Sequence, residues 1–157
     1  KAGCLGIRIS DKIFHFMKSH SNKEDLSKFF DIKEPFIAYI LGFLWADGHV
    51  NNYTVVVNIV KSDMDKIEWI FDKLGVWAKS EFLPRNSRDK KQRILKCYSK
   101  ELAEYLQSKD FSLKSLKSPS KILEVIPINL QKYFFRGWFD GDGCLFISSK
   151  TNSIICS

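Results

Sequence analysis

The sequence predicts an α+β protein with its helices stacked on one face of an antiparallel sheet. Three observations point there. Apolar residues recur at helical spacing in four separate stretches. Between these lie short runs rich in β-branched residues, which suit strands. The strands come in groups between helices, not in the one-to-one alternation that builds a parallel sheet. With 157 residues, 45% of them hydrophobic and 13 of them Phe, the chain has enough apolar surface for one medium core and is not disordered.

The elements follow in chain order. Residues 1–33 form a polar, mixed N-terminal extension with a short helix around Glu24–Phe30. Pro35 suits a first helical turn, and Phe36, Ile37, Ile40, Leu41 and Leu44 carry the helical repeat to Asp47. Gly48 is expected to end that helix in a left-handed conformation. Tyr53–Val60 reads as a strand. Ser62 and Asp65 form an S-x-x-D start for a second helix, with Ile67, Ile70, Phe71 and Leu74 on its apolar face and Gly75 at its end. Trp77–Leu83 and Arg93–Tyr98 are expected to pair around the polar loop Pro84–Gln92. Ser99 caps a third helix carrying Leu102, Tyr105 and Leu106. Residues 110–126 read as an irregular, Lys- and Ser-rich connection. Pro127 opens a fourth helix through Leu130, Phe134, Phe135 and Trp138 to Gly143, and Cys144–Ser148 begins another strand.

Charge narrows the function. A net charge of +7 and a pI near 9.2 favour a polyanionic partner, and nucleic acid is the usual one. Cys4, Cys97, Cys144 and Cys156 have no metal-ligand spacing, and a chain with this core does not need a disulfide framework. His15, His20 and His49 form no HExxH pattern. No apolar stretch is long enough to span a bilayer, and no signal peptide is visible. An intracellular protein is expected, in host cytoplasm, nucleoid or organelle.

The chain contains an internal repeat. Ile40-Leu41-Gly42-Phe43-Leu44-Trp45-Ala46-Asp47-Gly48 aligns without gaps on Phe135-Arg136-Gly137-Trp138-Phe139-Asp140-Gly141-Asp142-Gly143, at an offset of 95 residues (142 − 47). Each copy places small residues four apart: Gly42 with Ala46, and Gly137 with Gly141. Residues at that spacing share a helix face, and small ones let two helix backbones approach closely. Helices packed that way would bring Asp47 and Asp142 side by side. A helix C-terminus carries partial negative charge, so two carboxylates there repel each other and the helix ends. A hard divalent cation between them would explain their presence. One Asp-Gly alone is an ordinary helix-end device; the doubling in matched contexts is what points to a site.

These windows resemble the signature of the LAGLIDADG (dodecapeptide) homing endonucleases, the second copy more closely, as Phe134-Phe135-Arg136-Gly137-Trp138-Phe139-Asp140-Gly141-Asp142-Gly143. The resemblance covers roughly residues 34–148 and is to single-chain, two-motif members. It implies αββαββα half-domains whose sheets lie in the DNA major groove, with the two motif helices forming the interface through Gly42, Ala46, Gly137 and Gly141. It implies that Asp47 and Asp142 bind divalent metal, usually with the main-chain carbonyls of Ala46 and Gly141, and that double-stranded DNA is cut within a long specific target site; Mg²⁺ is the expected ion. It implies a basic residue beside the metals, matched by Lys117, with Lys121 and Lys114 as competitors.

Base contacts are expected from the sheet, because β-ribbons fit the major groove. Asn51, Asn52, Tyr53 and Asn58 are candidates on the first strands. Arg85, Asn86, Arg88, Lys90, Lys91, Gln92 and Arg93 are candidates on the hairpin, where charge and amide groups suit phosphates and base edges. The domain reading is an extension over 1–33, a first half-domain over 34–126, and the start of a second over 127–157. Only 14 residues follow Gly143 (157 − 143), so the rest of the second half-domain is expected in the same or another chain. An intron maturase, or a catalytically silent nucleic-acid-binding protein of the same fold, is the alternative. No protein-splicing signature stands at Lys1 or Ser157, so an intein origin is disfavoured.

Overall fold

The computed structural model describes residues 23–60, 63–82, 92–143, 145–148 and 153–156. Helix α1 (Lys23–Ser27) leads to the central helix α2 (Pro35–Asp47), followed by strands β1 (Gly48–Val50) and β2 (Thr54–Val60). Helix α3 (Met64–Phe71), strands β3 (Ala78–Phe82) and β4 (Gln92–Tyr98), and helix α4 (Lys100–Ser108) complete the layer. A 3₁₀ turn (Phe111–Leu113), α5 (Ser120–Leu123) and α6 (Gln131–Asp142) then bring the chain back against α2. Strands β5 (Leu145–Ser148) and β6 (Ser153–Cys156) pair antiparallel.

The main sheet has the order β1-β2-β4-β3, antiparallel throughout. Alternation sorts its faces. Val55, Val57, Ile59, Leu95 and Cys97 are buried in the core shared with the helices. Asn58 and His49 are exposed, and Thr54, Val56, Ile94, Lys96 and Tyr98 are half-buried on the opposite face. Helix α2 is buried nearly all round, from Ile37 through Ala46, because the helix-and-sheet layer covers one side and α6 the other.

Several expectations shift. Gly48 ends α2 at φ −70°, ψ 148°, which is extended and not left-handed, and β1 starts at once. Glycine is needed there for closeness: a Cβ on Gly48 would stand 2.5 Å from the Leu44 carbonyl oxygen. Gly143 is likewise extended, at φ −72°. Strand β1 has three residues, too few for an alternation pattern to announce it. Helix α3 ends at Phe71, short of Gly75, whose N–H donates to Asp25 Oδ2 at 3.0 Å and ties α1 to the turn. Ser62 lies outside the described residues. Ser99 accepts from the Leu102 N–H at 3.1 Å and caps α4. The connection read as irregular contains the 3₁₀ turn and α5. Helix α6 begins at Gln131; Pro127 instead starts a turn closed by the Leu130 N–H on its carbonyl at 2.7 Å. No helix among the described residues is long and apolar enough to cross a membrane.

Candidate functional site

Helices α2 and α6 touch through their backbones. A Cβ on Gly42 would lie 1.9 Å from the Phe134 oxygen and 2.9 Å from the Trp138 nitrogen. One on Gly137 would lie 2.0 Å from the Tyr39 oxygen and 3.0 Å from the Phe43 nitrogen. The two sets interchange under the 95-residue offset (134 − 39 and 138 − 43), so the contact has approximate two-fold symmetry. One turn further along, a Cβ on Gly141 would meet the Ala46 Cβ at 2.4 Å and Asp47 Oδ2 at 3.7 Å. Small residues along this face let the helices approach until their C-terminal ends, Asp47 and Asp142, stand together.

The two carboxylates feel each other. Asp47 keeps solvent contact, yet the protein packed around the helix end desolvates it. That burial, and then the negative charge of Asp142, raise its carboxyl above the ordinary value, against the pull of Lys114. Lys114 is half-buried, and its ammonium donates to the Ala46 carbonyl oxygen. Desolvation lowers its pKa, while Asp142 and Asp47 act to raise it.

Lys114, not Lys117, is the basic side chain at this point. Asp110 adopts the left-handed conformation (φ 67°), which Asp tolerates better than most residues, and so turns the chain out of α4. Phe111 then packs edge-on against Trp45 at 5.0 Å, anchoring the 3₁₀ turn beneath α2. The next residue after that turn, Lys114, reaches the helix end. Lys117 is exposed beyond it. Lys121 is bound to Asp110 at 3.0 Å.

The expected nucleic-acid contacts divide. Asn58 and Gln92 belong to the outward-facing set of their strands, and Asn52 and Tyr53 are exposed at the β1–β2 turn. Asn51 serves that turn: its Oδ1 accepts from the Tyr53 N–H, the Thr54 N–H and the Thr54 hydroxyl. Arg93 is a correction. It pairs with Ile59 in register, which puts it on the core side, where it meets Glu81 at 3.3 Å and Glu68 at 3.8 Å. Lys79 joins the same network through Glu68 and Asp72. Arg85, Asn86, Arg88, Lys90 and Lys91 lie outside the described residues. Strand parity adds His49 and Lys96 to the outward face; neither stands out in the sequence, because their facing depends on register.

The donor set fits a hard cation. Among the described residues no three His, Cys, Asp or Glu side chains cluster as a metal site. What the helix ends offer is the carboxylates of Asp47 and Asp142 beside the Ala46 main-chain oxygen that Lys114 binds. Oxygen donors of that number suit an ion that retains much of its water.

No protein-family model matches the chain, and no curated protein matches it. Among solved structures, the homing endonuclease I-WcaI bound to its DNA recognition sequence matches with a TM-score of 0.54 at 14% identity, over 93% of this chain and 64% of that one. The chain has the LAGLIDADG homing-endonuclease fold. I-DmoI, in complex with DNA and Mn, matches at 17% identity with a TM-score of 0.44, over 70% of this chain and 63% of that one. The chain therefore spans less than two thirds of the length of either structure. In this LAGLIDADG fold, α2 and α6 pack on each other, and Phe135, Trp138 and Phe139 of α6 line a cavity of about 660 Å³. Their counterparts under the offset, Ile40, Phe43 and Leu44, are buried; Phe135 is 46% exposed and Ile40 0%.

Proposed function

We propose that the chain belongs to a divalent-metal-dependent DNA endonuclease of the single-chain, two-motif homing type, making double-strand breaks within a long specific site. The observation that carries this is the meeting of Asp47 and Asp142 at the tips of two glycine-packed helices. Repulsion between them costs stability and gains nothing unless a cation is held. Asp47 and Asp142 would hold Mg²⁺ with the main-chain oxygens of Ala46 and Gly141. When bound, the ion supplies charge neutralisation at the phosphate and a more acidic water.

The chain's own groups do the rest. Lys114 already binds the Ala46 oxygen, which keeps a second lone pair for another partner. Its ammonium fixes that carbonyl and sets a positive charge where a scissile phosphate would approach. The outward face of the sheet, with Asn58, Gln92, Lys96 and His49, serves the bases and phosphates; the fold likeness to DNA-bound I-WcaI supports this use. The aromatic face of α6 calls for a second sheet-bearing unit like the one that covers α2. That unit would give the DNA surface its other half.

Cleavage of a random duplex library in Mg²⁺, abolished by EDTA and by Asp142→Asn, tests the reading; cutting that survives Asp142→Asn overturns it. Lys114→Met should slow cleavage by about 10²-fold, the scale of losing one preorganised charged donor, with DNA affinity in EDTA within about twofold of wild type. Fluorescence anisotropy against salt checks the sheet. Lys96→Ala should weaken DNA binding and reduce the salt slope by about one. Arg93→Ala should leave that slope unchanged and lower the urea midpoint, since it strips Glu81 of its partner and leaves Glu68 to Lys79 alone.

A further inference from the structure

We propose that the Tyr39–Asp140 hydrogen bond sets the register of α2 against α6 and so positions Asp142 opposite Asp47. The inference deepens the reading of those two carboxylates as a working pair and rests on it.

The Tyr39 hydroxyl donates to Asp140 Oδ2 at 2.9 Å. Among the described residues it is the one side-chain hydrogen bond that joins α2 to α6. Arg136, one turn before Asp140, donates its Nε–H to the same oxygen at 2.9 Å and orients the carboxylate. Tyr39 is held in turn by stacking on Phe43 at 6.5 Å. Burial and the bond to Asp140 push the Tyr39 phenol well above its ordinary pKa, so it remains a donor at any working pH.

A contact lined by glycines is close but smooth. It has few side-chain ridges to resist a slide of one helix along the other. A slide of one residue is about 1.5 Å, enough to pull apart carboxylates that must share a cation. A directional hydrogen bond resists that slide. The two-fold mate of the pair makes the point by contrast. Tyr39 corresponds to Phe134 (134 − 95) and Asp140 to Trp45 (140 − 95), both buried and apolar. The polar tie therefore exists on one side of the interface only. It opens on a cleft of about 360 Å³ lined also by Asp63, Lys66 and Ile67 of the α3 region. Asp140 lies two residues before Asp142, so what Tyr39 grips is the last turn of α6.

Cross-linking reads the register directly. Asp47→Cys and Asp142→Cys are introduced together in a chain carrying Cys4→Ser, Cys144→Ser and Cys156→Ser, and disulfide formation is timed with and without Tyr39→Phe. Tyr39→Phe should slow it at least about fivefold, and Asp140→Asn, which keeps a carbonyl acceptor, should slow it less than Asp140→Ala. In the otherwise native chain, Tyr39→Phe should weaken Mn²⁺ binding, followed by electron paramagnetic resonance, about tenfold, with DNA affinity in EDTA unchanged. An unchanged cross-linking rate in Tyr39→Phe overturns the register role. A slowed rate with Mn²⁺ affinity indifferent even to Asp47→Asn upholds the register role and removes the metal reading instead.

Discussion

Gly42→Ala is expected to lower the stability of the fold by about 3 kcal/mol, the upper end of the range for overpacking a core. The added Cβ would sit 1.9 Å from the Phe134 oxygen, 2.7 Å from its carbon and 2.9 Å from the Trp138 nitrogen. All three are main-chain atoms of α6, so no rotamer change relieves the clash. The helices must separate by an ångström or more, and each buried side chain along them loses its fit. Gly75→Ala is the internal control. Its Cβ would meet only Asp25 Oδ2, at 3.5 Å, an ordinary contact, and its backbone has no positive φ. It should be near neutral. Urea unfolding of the two variants separates local glycine entropy from helix contact: the first predicts similar changes at both positions, the second a large loss at Gly42 alone. Cleavage should vanish in Gly42→Ala even where the chain stays folded, because the carboxylates move apart with the helices.

Asp47→Asn should abolish cutting and yet leave the metal-free protein as stable as wild type or more so. The folded chain holds the Asp47 proton more tightly than the unfolded chain, whose carboxyl titrates near 3.8. Its contribution to stability is present below that value and is lost as pH rises through the elevated folded value. At neutral pH the ionised carboxylate therefore works against folding, and the amide removes that opposition. In EDTA the thermal midpoint of Asp47→Asn should equal or exceed that of wild type, and the difference should shrink as pH falls toward about 4. Cleavage in Mg²⁺ should drop by about 10²-fold or more, the loss on removing one preorganised electrostatic group. A residue whose removal helps the fold and ruins the activity is kept for function.

The features of this architecture that depend on short-range pattern are legible in the sequence. The helix over Pro35–Asp47 is announced by Pro35 and the spacing of Ile37, Ile40, Leu41 and Leu44. Ser99 marks the start of α4 because a hydroxyl at that position caps a free N–H. The repeat pairs Gly42 with Gly137 and Asp47 with Asp142 on sequence alone. What long-range geometry decides is not legible there. Arg93 reads as a nucleic-acid contact until its register with Ile59 puts it on the core side beside Glu68 and Glu81. Lys114 is one of three lysines until Asp110 turns the chain and Phe111 anchors it on Trp45. The Tyr39–Asp140 bond joins residues 101 apart, with no local signal at either end.

The most direct measurement is a crystal of the protein grown in Mn²⁺, with data collected at the manganese absorption edge. We expect an anomalous peak between the ends of α2 and α6, within about 2.0–2.6 Å of carboxylate oxygens from both Asp47 and Asp142, the range of hard-cation coordination by oxygen. A peak bound elsewhere, or helix ends too far apart for one ion cluster to touch both side chains, would contradict the account.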